Sequence, residues 1–546
     1  MDEASGEWMQ TVHQLERNQL RISLYMPDTK LFATVAVLSL SLTMTSTILA
    51  DQSPARIIGY HEVKVDSTGK IAPWYGNSPA EDYDHVIRLI WNFWRDMRAC
   101  PNGVPTYLQH QVWKPTDVDP RGLGGDQINM ALSSWDLLFN YLGDEKVKAN
   151  MVFMADYWLQ HGMTKPADRW ANLPYPYNTV LHSGQYDGDM RAGKNFLQPD
   201  KAGSFGAELV TLYKKTGDPK YLTAAVGIAD SLVAHIQPGD AQNSPWPFRV
   251  NALTGEVHQA KTKDGRTISA SYTSNWTPTL RLFEGLIALK QENVAQYQKA
   301  FRTVSVWLKQ YPLQTNKWGP FFEDVPTSDY SDTEINADTM AYFLLEHPDW
   351  DPHAKEMAGK ALEWSYRTFQ NHEFDKWGVV PINEQTVYKV PGNSHTSRHA
   401  STELLYCEKT GDCTTKPDAI RRLTWATYTV DTDGKNRYPR DDVWLTDGYG
   451  DYVRHFLRAM AADPELAPAD QNHLLRSSSV IATIDYAPER IRYTKWDASS
   501  VELFKLGAAV PQTVKSGSMH WDPKTKTLTV KANSKAVEVI LAKSTL

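Results

Sequence analysis

Three short segments share one pattern, in which a helical run of apolar residues ends in glycine and a second run begins after an acidic residue. They lie at 139–148, 212–222 and 405–415. In each segment, apolar residues at three- and four-residue steps precede the glycine, and a second such run follows it. Glycine is favoured just past a helix C-terminus because it adopts the left-handed conformation easily. In the second segment, Asp218 can cap the next helix and Pro219 fits its first turn. Each segment therefore predicts the tight corner of a helical hairpin.

Two further pairs of helical patterns, over 280–310 and 339–367, lack this corner but keep the same periodicity. A last unit begins near Tyr449, and an early helix over 82–98 can close against it. The first helices of the six predicted units begin near residues 126, 203, 277, 337, 400 and 449. One hairpin cannot bury its apolar face alone, so six of them have to stack in an open solenoid or close into a ring. The number of units favours a closed ring. Because all six units are helical hairpins, the predicted fold class is mainly α.

The pattern changes after Ala462, where polar and apolar residues alternate and turn residues separate the runs. Strands of a small antiparallel β appendage are predicted over 480–486, 500–507, 526–531 and 536–541. The last two strands are predicted to form one hairpin. The chain thus divides into a leader (1–50), an extended segment (51–80), the helical domain (81–465) and the β appendage (466–546).

Composition excludes several classes of protein. The 546 residues carry a net charge of -7, which argues against a nucleic-acid partner because such partners select a basic surface. The three cysteines, Cys100, Cys407 and Cys413, are too few for a disulfide scaffold and lack the spacing of a metal site. Cys407 and Cys413 flank one hairpin corner and can pair in an oxidising compartment. No cofactor is predicted, and the oligomeric state is left open.

The N-terminal region predicts export. Lys30 precedes an apolar run dotted with Ser and Thr that ends at Ala50, as in a secretory signal peptide cleaved after Ala50. Residues 1–25 are too polar for the start of such a signal, so Met26 is the expected initiation site. An N-terminal membrane anchor is the alternative, since the run approaches spanning length. The mature protein is predicted to be secreted or periplasmic and free of membrane spans.

Six hairpins with these corners, over about 80–460, resemble the (α/α)6 toroid of the six-hairpin glycosidases and the related polysaccharide lyases. The resemblance implies a carbohydrate substrate and an enzyme that cleaves glycosidic bonds. It also implies that the catalytic groups lie in the loops that enter the inner helices, at one end of the ring. These entry segments span 122–131, 196–208, 271–281, 331–341, 393–403 and 445–455.

Carboxylates in two entry segments predict a glycoside hydrolase. Glu334 and Asp338 lie one helical turn apart, and Asp447 and Asp451 have the same spacing. Hydrolysis requires one protonated carboxyl group as acid and one carboxylate as base or nucleophile. Asp338 and Asp447 are the predicted pair. Helix capping is the structural alternative for any single Asp at such a position.

The segment at 393–403 favours a different reaction. His395, Arg398 and His399 suit a uronate lyase, in which a cation neutralises the sugar carboxylate and a His or Tyr base removes the C5 proton. The toroidal lyases are similar in pairing such a segment with a Tyr from another loop, here Tyr449 or Tyr452. Helix capping or packing is the alternative role for the two histidines.

Several polar and aromatic residues near the entry segments are predicted to bind the substrate. They are Asp126, Gln127, Tyr186, Arg191, Lys194, Trp246, Arg249, Trp276 and Arg398. Three of them lie in the long loop 174–203, whose length is typical of a functional or disordered segment. Asp187 and Asp189 in this loop can alternatively bind Ca²⁺. Tryptophans fill helical cores more often than they stack on sugars.

Hydrolysis is the leading prediction, and β-elimination is the second. A non-catalytic glycan-binding protein is a third hypothesis, which predicts aromatic residues at the mouth but no catalytic pair of side chains. A sugar isomerase on the same fold is disfavoured by the export signal.

Overall fold

The computed structural model describes residues 57–59, 61–95, 125–180, 183–189, 191–261, 265–321, 332–436 and 447–543. For 57, 125–127, 447–451 and 543 the description is limited to the backbone. The described residues all belong to one compact unit. The predicted leader lies outside the described residues, and among the described helices none is long and apolar enough to cross a membrane.

Thirteen α-helices are described. They are α1 (Pro79–Trp94), α2 (Gly125–Leu142), α3 (Glu145–His161), α4 (Pro199–Thr216), α5 (Pro219–His235), α6 (Thr277–Ala288), α7 (Val294–Gln310), α8 (Pro312–Thr315), α9 (Glu334–Glu346), α10 (Ala354–Phe369), α11 (Asn393–Thr410), α12 (Lys416–Thr427) and α13 (Asp447–Ala462). The first helices of the six predicted hairpins are α2, α4, α6, α9, α11 and α13. Each begins within seven residues of its predicted start.

Contacts between these six helices form a closed circuit. Each packs against the next one in chain order, and α13 packs against α2. The second helix of each hairpin, α3, α5, α7, α10 or α12, packs against its own first helix, and α1 packs against α12 and α13. We call α2, α4, α6, α9, α11 and α13 the inner helices.

The three glycine corners have the predicted local structure. Gly143, Gly217 and Gly411 have φ values of 67°, 76° and 81°, which side chains other than glycine rarely adopt. The Asp218 carboxylate accepts a hydrogen bond from the Lys220 N–H at 3.0 Å and caps α5. A disulfide joins Cys407 to Cys413 across the third corner.

Short two-stranded antiparallel ladders lie in the loops of the helical part. Their strands are β1 (Ile57–Ile58), β2 (His61–Glu62), β3 (Gly188–Asp189), β4 (Gly193–Lys194), β5 (Phe196–Leu197), β6 (Val250–Asn251), β7 (Gln259–Lys261) and β8 (Thr267–Ser269). They pair as β1–β2, β3–β4, β5–β6 and β7–β8.

Two four-stranded antiparallel sheets form the C-terminal region. Their strands are β9 (His473–Ser477), β10 (Ile481–Ala487), β11 (Arg490–Lys495), β12 (Ser499–Lys505), β13 (Ala509–Lys515), β14 (Gly517–Asp522), β15 (Thr527–Asn533) and β16 (Ala536–Lys543). The sheet orders are β10–β11–β16–β13 and β14–β15–β12–β9. The predicted hairpin of the last two strands is wrong, because β15 pairs with β12 and β14 whereas β16 pairs with β11 and β13. The turn between them carries the chain from one sheet to the other.

The two sheets pack against the corner end of the inner helices, opposite to the helix N-termini. The buried Lys215 ammonium, near the end of α4, donates to the Ile481 carbonyl at 2.6 Å. Arg476 of β9 binds the Glu408 carboxylate of α11 through both terminal nitrogens. The two sheets therefore contact the ends of the inner helices that hold the corners, and not the ends that hold the helix N-termini.

Candidate active site

A cavity of about 300 Å³ lies between the inner helices and takes side chains from all six of them. On α9 the lining residues run from Ile335 in the first turn to Glu346 at the end of the helix. The eleven steps from residue 335 to residue 346, at the helical rise of about 1.5 Å per residue, give a depth of roughly 16 Å. The cavity therefore extends along most of the ring interior.

Charged side chains line this cavity at several levels. The cations are Lys201, Arg281, Arg398, Arg454 and Arg458, and the carboxylates are Asp136, Glu208 and Glu346. Charged residues are rarely buried without a compensating contact. A concave wall on which several charged groups converge is a candidate ligand site.

The Glu334 carboxylate connects α9 to α11 at the entry end of the ring. It is fully buried, and one oxygen lies 2.6 Å from Nδ1 of His395. The other oxygen accepts a hydrogen bond from Arg398 at 3.2 Å, and Arg398 reaches the cavity wall. A Cβ on Gly392, the residue that caps α11, would lie only 2.5 Å from Cδ2 of His395. The imidazole is thus fixed by Glu334 and by the absence of a side chain at Gly392.

The charge of Glu334 controls the proton affinity of His395. Burial alone lowers the pKa of a histidine, but the Glu334 carboxylate outweighs it and raises the pKa of His395 above its ordinary value. With Nδ1 engaged by the carboxylate, Nε2 is the nitrogen left to exchange a proton with a ligand.

A second carboxylate–imidazole pair lies one helical turn further along. Asp338 Oδ2 is 3.0 Å from Nδ1 of His399, and Glu403 is 3.6 Å from its Nε2. Burial lowers the pKa of His399, but Asp338 and Glu403 raise it further, to about 9. Arg422 binds the same Glu403. His399 is therefore a buried cation enclosed by acids.

Asp338 is placed beside the cavity and not in its wall. The lining residues of α9 include Ile335, Thr339 and Tyr342, and Asp338 lies at the edge of the face that they form, about 40° from Tyr342 and 100° from Thr339 around the helix. It is fully buried, and burial raises its pKa although His399 opposes the shift. His395 also lies next to the described wall and not in it, but 10% of its side chain is exposed, whereas the side chains of Asp338 and His399 are fully buried. We therefore expect His395, and not Asp338 or His399, to reach a substrate.

Four predicted site residues lie in first turns of helices for which only the backbone is described. Asp126 and Gln127 belong to the first turn of α2, and Asp447 and Tyr449 belong to the first turn of α13. The backbone therefore places them at the entry end, and their roles stay predictions. The alternative base Tyr452 is buried, and its hydroxyl donates to the Ala426 carbonyl at 2.6 Å, which makes its role structural.

Both tryptophans expected to contact substrate lie in the core. Trp246 and Trp276 are fully buried and in mutual contact, with ring centroids 4.9 Å apart. Their indole N–H groups donate to the backbone carbonyls of Leu232 and Thr273. Neither ring has a face free for a sugar, because the space between the helical layers is filled by such side chains.

Arg249 forms a buried structural ion pair with Asp189 and is not a surface cation. It is fully buried, and its Nε donates to Asp189 Oδ2 at 2.9 Å. Asp189 Oδ1 also accepts the N–H groups of Arg191 and Ala192, and Gln198 donates to Oδ2. These bonds anchor the long loop before α4 and occupy the carboxylate that a Ca²⁺ ion would need.

The remaining loop candidates lie away from the described cavity wall. Tyr186 is buried and packs edge-on against Trp158. Arg191 is exposed, and Lys194 is exposed and 3.7 Å from Asp187. Over the described residues, no group of three His, Cys, Asp or Glu side chains is arranged to hold a metal ion.

The sequence did not single out several residues of the cavity. Glu208 in the middle of α4 is almost fully buried, and burial raises its pKa, with nearby Asp136 adding to the shift and Arg281 opposing it. Lys201 in the first turn of α4 is also buried in the wall. In the sequence, Lys201 and Glu208 look like ordinary charged residues on the exposed face of a helix. Only the closed circuit of inner helices turns them inward.

The chain resembles solved structures of sugar-converting enzymes. Cellobiose 2-epimerase from Bacillus thermoamylovorans is 13% identical with a TM-score of 0.52, over 70% of this chain and 99% of the epimerase. Cellobiose 2-epimerase from Spirochaeta thermophila is 12% identical with a TM-score of 0.50, over 69% and 95%. A D-mannose isomerase is 10% identical with a TM-score of 0.50, over 71% and 99%.

These proteins have the six-hairpin glycosidase-like fold, so the resemblance stated from the sequence is confirmed. At such low identity the likeness shows the fold and does not assign a reaction. No protein-family model matches the chain, and no curated protein matches it in sequence.

Proposed function

We propose that this chain is an exported (α/α)6-toroid enzyme that cleaves acidic polysaccharides by β-elimination. The observation that carries the proposal is the contact of one carboxylate, Glu334, with both His395 and Arg398 at the entry end of the central cavity. A histidine oriented by a carboxylate through Nδ1 is a common device for general acid–base catalysis. The same segment had suggested a uronate lyase as the second prediction from sequence.

His395 is the proposed base. Its Nε2 takes the proton from C5 of the uronate, the C4–O bond breaks, and a C4–C5 double bond forms. The leaving oxygen receives a proton from an acid, for which Tyr449 at the start of α13 is the candidate. Because Glu334 raises the pKa of His395, the imidazole is a stronger base than usual, and activity is expected to rise with pH through its titration.

Hydrolysis remains the second candidate because of one other feature. Glu208 lines the cavity, and burial raises its pKa, as required of a carboxyl group that acts as a general acid. Asp136 lies near it in the same wall and is the candidate for the second carboxylate. In this arrangement the acid pair is Glu208 and Asp136, in place of Asp338 and Asp447.

The fold supports a sugar substrate in either case, since the structural neighbours with the higher TM-scores are named as sugar epimerases and an isomerase. Export is supported by the disulfide between Cys407 and Cys413, because such bonds persist mainly in oxidising compartments. An N-terminus at Asp51 in protein recovered from the producing cells would test cleavage after Ala50.

The reaction is tested by incubating the protein with acidic and neutral polysaccharides. Ultraviolet absorbance detects the unsaturated uronate made by elimination, and reducing ends detect either kind of cleavage. We expect both signals on an acidic polysaccharide. The absorbance should be lost in His395→Ala and kept in Glu208→Gln.

Other results would change the assignment. Reducing ends without absorbance, abolished by Glu208→Gln, would establish hydrolysis instead. Deuterium uptake from heavy water into an uncleaved sugar would indicate an isomerase or epimerase and would refute cleavage of either kind. Binding without turnover of any substrate would favour the glycan-binding hypothesis.

A further inference from the structure

Lys201 is a buried lysine in the wall of the central cavity. It is 1% exposed, and within the described part of the chain its ammonium has no hydrogen-bond acceptor. Its nearest carboxylate, Asp200, is 3.4 Å away and also accepts a hydrogen bond from the Asn275 amide at 2.8 Å. The ammonium lies over the face of Phe321, 3.2 Å from the ring centroid.

A buried ammonium with unused N–H donors is costly, so it requires an acceptor from elsewhere. Lys201 faces the same cavity as Arg398, which places cations of α4 and α11 around one space. Lysine offers three donors on a compact charge, and an oxyanion can use them.

The backbone adds to this positive potential. Lys201 occupies the first turn of α4, an 18-residue helix whose N-cap residue, Gln198, makes no side-chain capping bond. The Gln198 amide is directed instead to Asp189. The positive end of the α4 dipole thus lies beside the ammonium, and both stabilise a negative charge.

We propose that Lys201 binds an oxyanion substituent of the substrate, a carboxylate or a sulfate on the sugar, and makes the cavity specific for acidic glycans. The inference rests on the proposed function and names the substrate class of that site. In the elimination reaction this contact withdraws charge from the carboxylate while His395 removes the adjacent proton. Under hydrolysis the same contact selects acidic substrates without a role in proton transfer.

Binding is measured by calorimetry on the full chain carrying His395→Ala, so that turnover does not consume the ligand. The probes are oligosaccharides of glucuronate, of sulfated galactose and of unmodified glucose, which separate a carboxylate site from a sulfate site. We expect tighter binding of one acidic probe than of the neutral one. Adding Lys201→Met should weaken binding of that acidic probe about 10- to 100-fold and leave the neutral probe unchanged.

Two further variants keep the test decisive. Lys201→Arg preserves the charge and should retain most of the acidic preference. Because Lys201→Met leaves the Asp200 carboxylate without its cation, the double variant Asp200→Asn/Lys201→Met serves if the single variant does not fold. Lys360→Met, which removes an exposed lysine of α10 outside the cavity, is the matched control and should change nothing.

The proposal is overturned if the parent protein shows no acidic preference, or if Lys201→Met binds the acidic probe as tightly as the parent. Equal weakening towards acidic and neutral probes would also overturn it. Acidic preference that depends on Lys201, in a protein whose active form yields no unsaturated product, would keep this site and refute the elimination reaction alone.

Discussion

Replacement of Glu334 by Gln tests the centre of the proposed site. The substitution preserves the shape of the side chain but removes the charge shared by His395 at 2.6 Å and Arg398 at 3.2 Å. All three groups are almost fully buried. Breaking a buried charged pair costs about 3–5 kcal/mol, so we expect Glu334→Gln to lower the free energy of unfolding by about that amount.

The pH dependence gives the sharper result. In the folded protein Glu334 raises the pKa of His395 above its unfolded value, which is about 6.5. The resulting stability is fully present below about pH 6.5 and is lost as the pH rises through the folded pKa. The stability gap between wild type and Glu334→Gln should therefore be larger in acid than in alkali. Without Glu334, burial dominates, and the rising limb of the pH–activity profile should move to lower pH.

Denaturant titrations at several pH values and initial rates on an acidic polysaccharide measure these effects. Glu363→Gln is the matched control, because Glu363 forms an exposed i,i+4 pair with Arg367 on α10 and such pairs contribute about 0–1 kcal/mol. Equal losses in the two variants, or a pH–activity limb that does not move, would refute the reasoning about Glu334.

Three other substitutions have distinct expected outcomes. Gly392→Ala should reduce kcat more than tenfold and lower the Tm, because the new Cβ displaces the His395 ring from its buried contact with Glu334; steady-state rates and thermal melts measure this. Lys215→Met should lower the free energy of unfolding by about 1–3 kcal/mol in denaturant, since it removes the buried ammonium that pairs with the partly exposed Asp136 carboxylate. Arg249→Met should expose the loop before α4 to protease by freeing Asp189, which limited proteolysis detects.

Controls for these variants come from the same chain. Gly411→Ala introduces strain at a positive φ with open space around the Cβ, so it should cost about 1 kcal/mol without an effect on kcat. Lys360→Met removes an exposed i,i+4 pair with Glu356 and should change stability by less than about 1 kcal/mol. A Gly392→Ala enzyme with normal kcat would contradict the fixed position of the imidazole.

Short-range signals explain what the sequence predicted well. The corner glycines and the Asp218 cap depend on neighbours within a few residues, so their conformations follow from local chemistry. The one-turn spacing of Glu334 and Asp338 likewise fixes their common side of α9, and both carboxylates contact histidines of α11. Helix starts are set by caps and prolines, which are also local.

Features that depend on distant parts of the chain were not predicted. Strand partners are chosen by register across the sheet, so nothing within 524–542 indicates that β15 and β16 belong to different sheets. The direction in which a tryptophan faces is set by the neighbouring helices, and Trp246 and Trp276 consequently lie in the core. Lys201 and Glu208 turn inward only because the circuit of inner helices encloses them.

That enclosure distinguishes the cavity from a structural core. Residues 394–405 of α11 are all buried, because an inner helix is surrounded by two inner neighbours, an outer partner and the cavity. In such a position apolar side chains stabilise the fold most, and every buried charge costs free energy unless it is well paired.

The buried charges of the interior differ in how closely they are paired. His399 is enclosed by two acids, as expected of a charge with a structural role. Lys201 and Glu208, in contrast, have only long contacts of 3.4 and 3.5 Å to their opposite charges. Within the described residues, this lack of close pairing supports the proposed contact of Lys201 with an acidic ligand and the alternative role of Glu208 as a general acid.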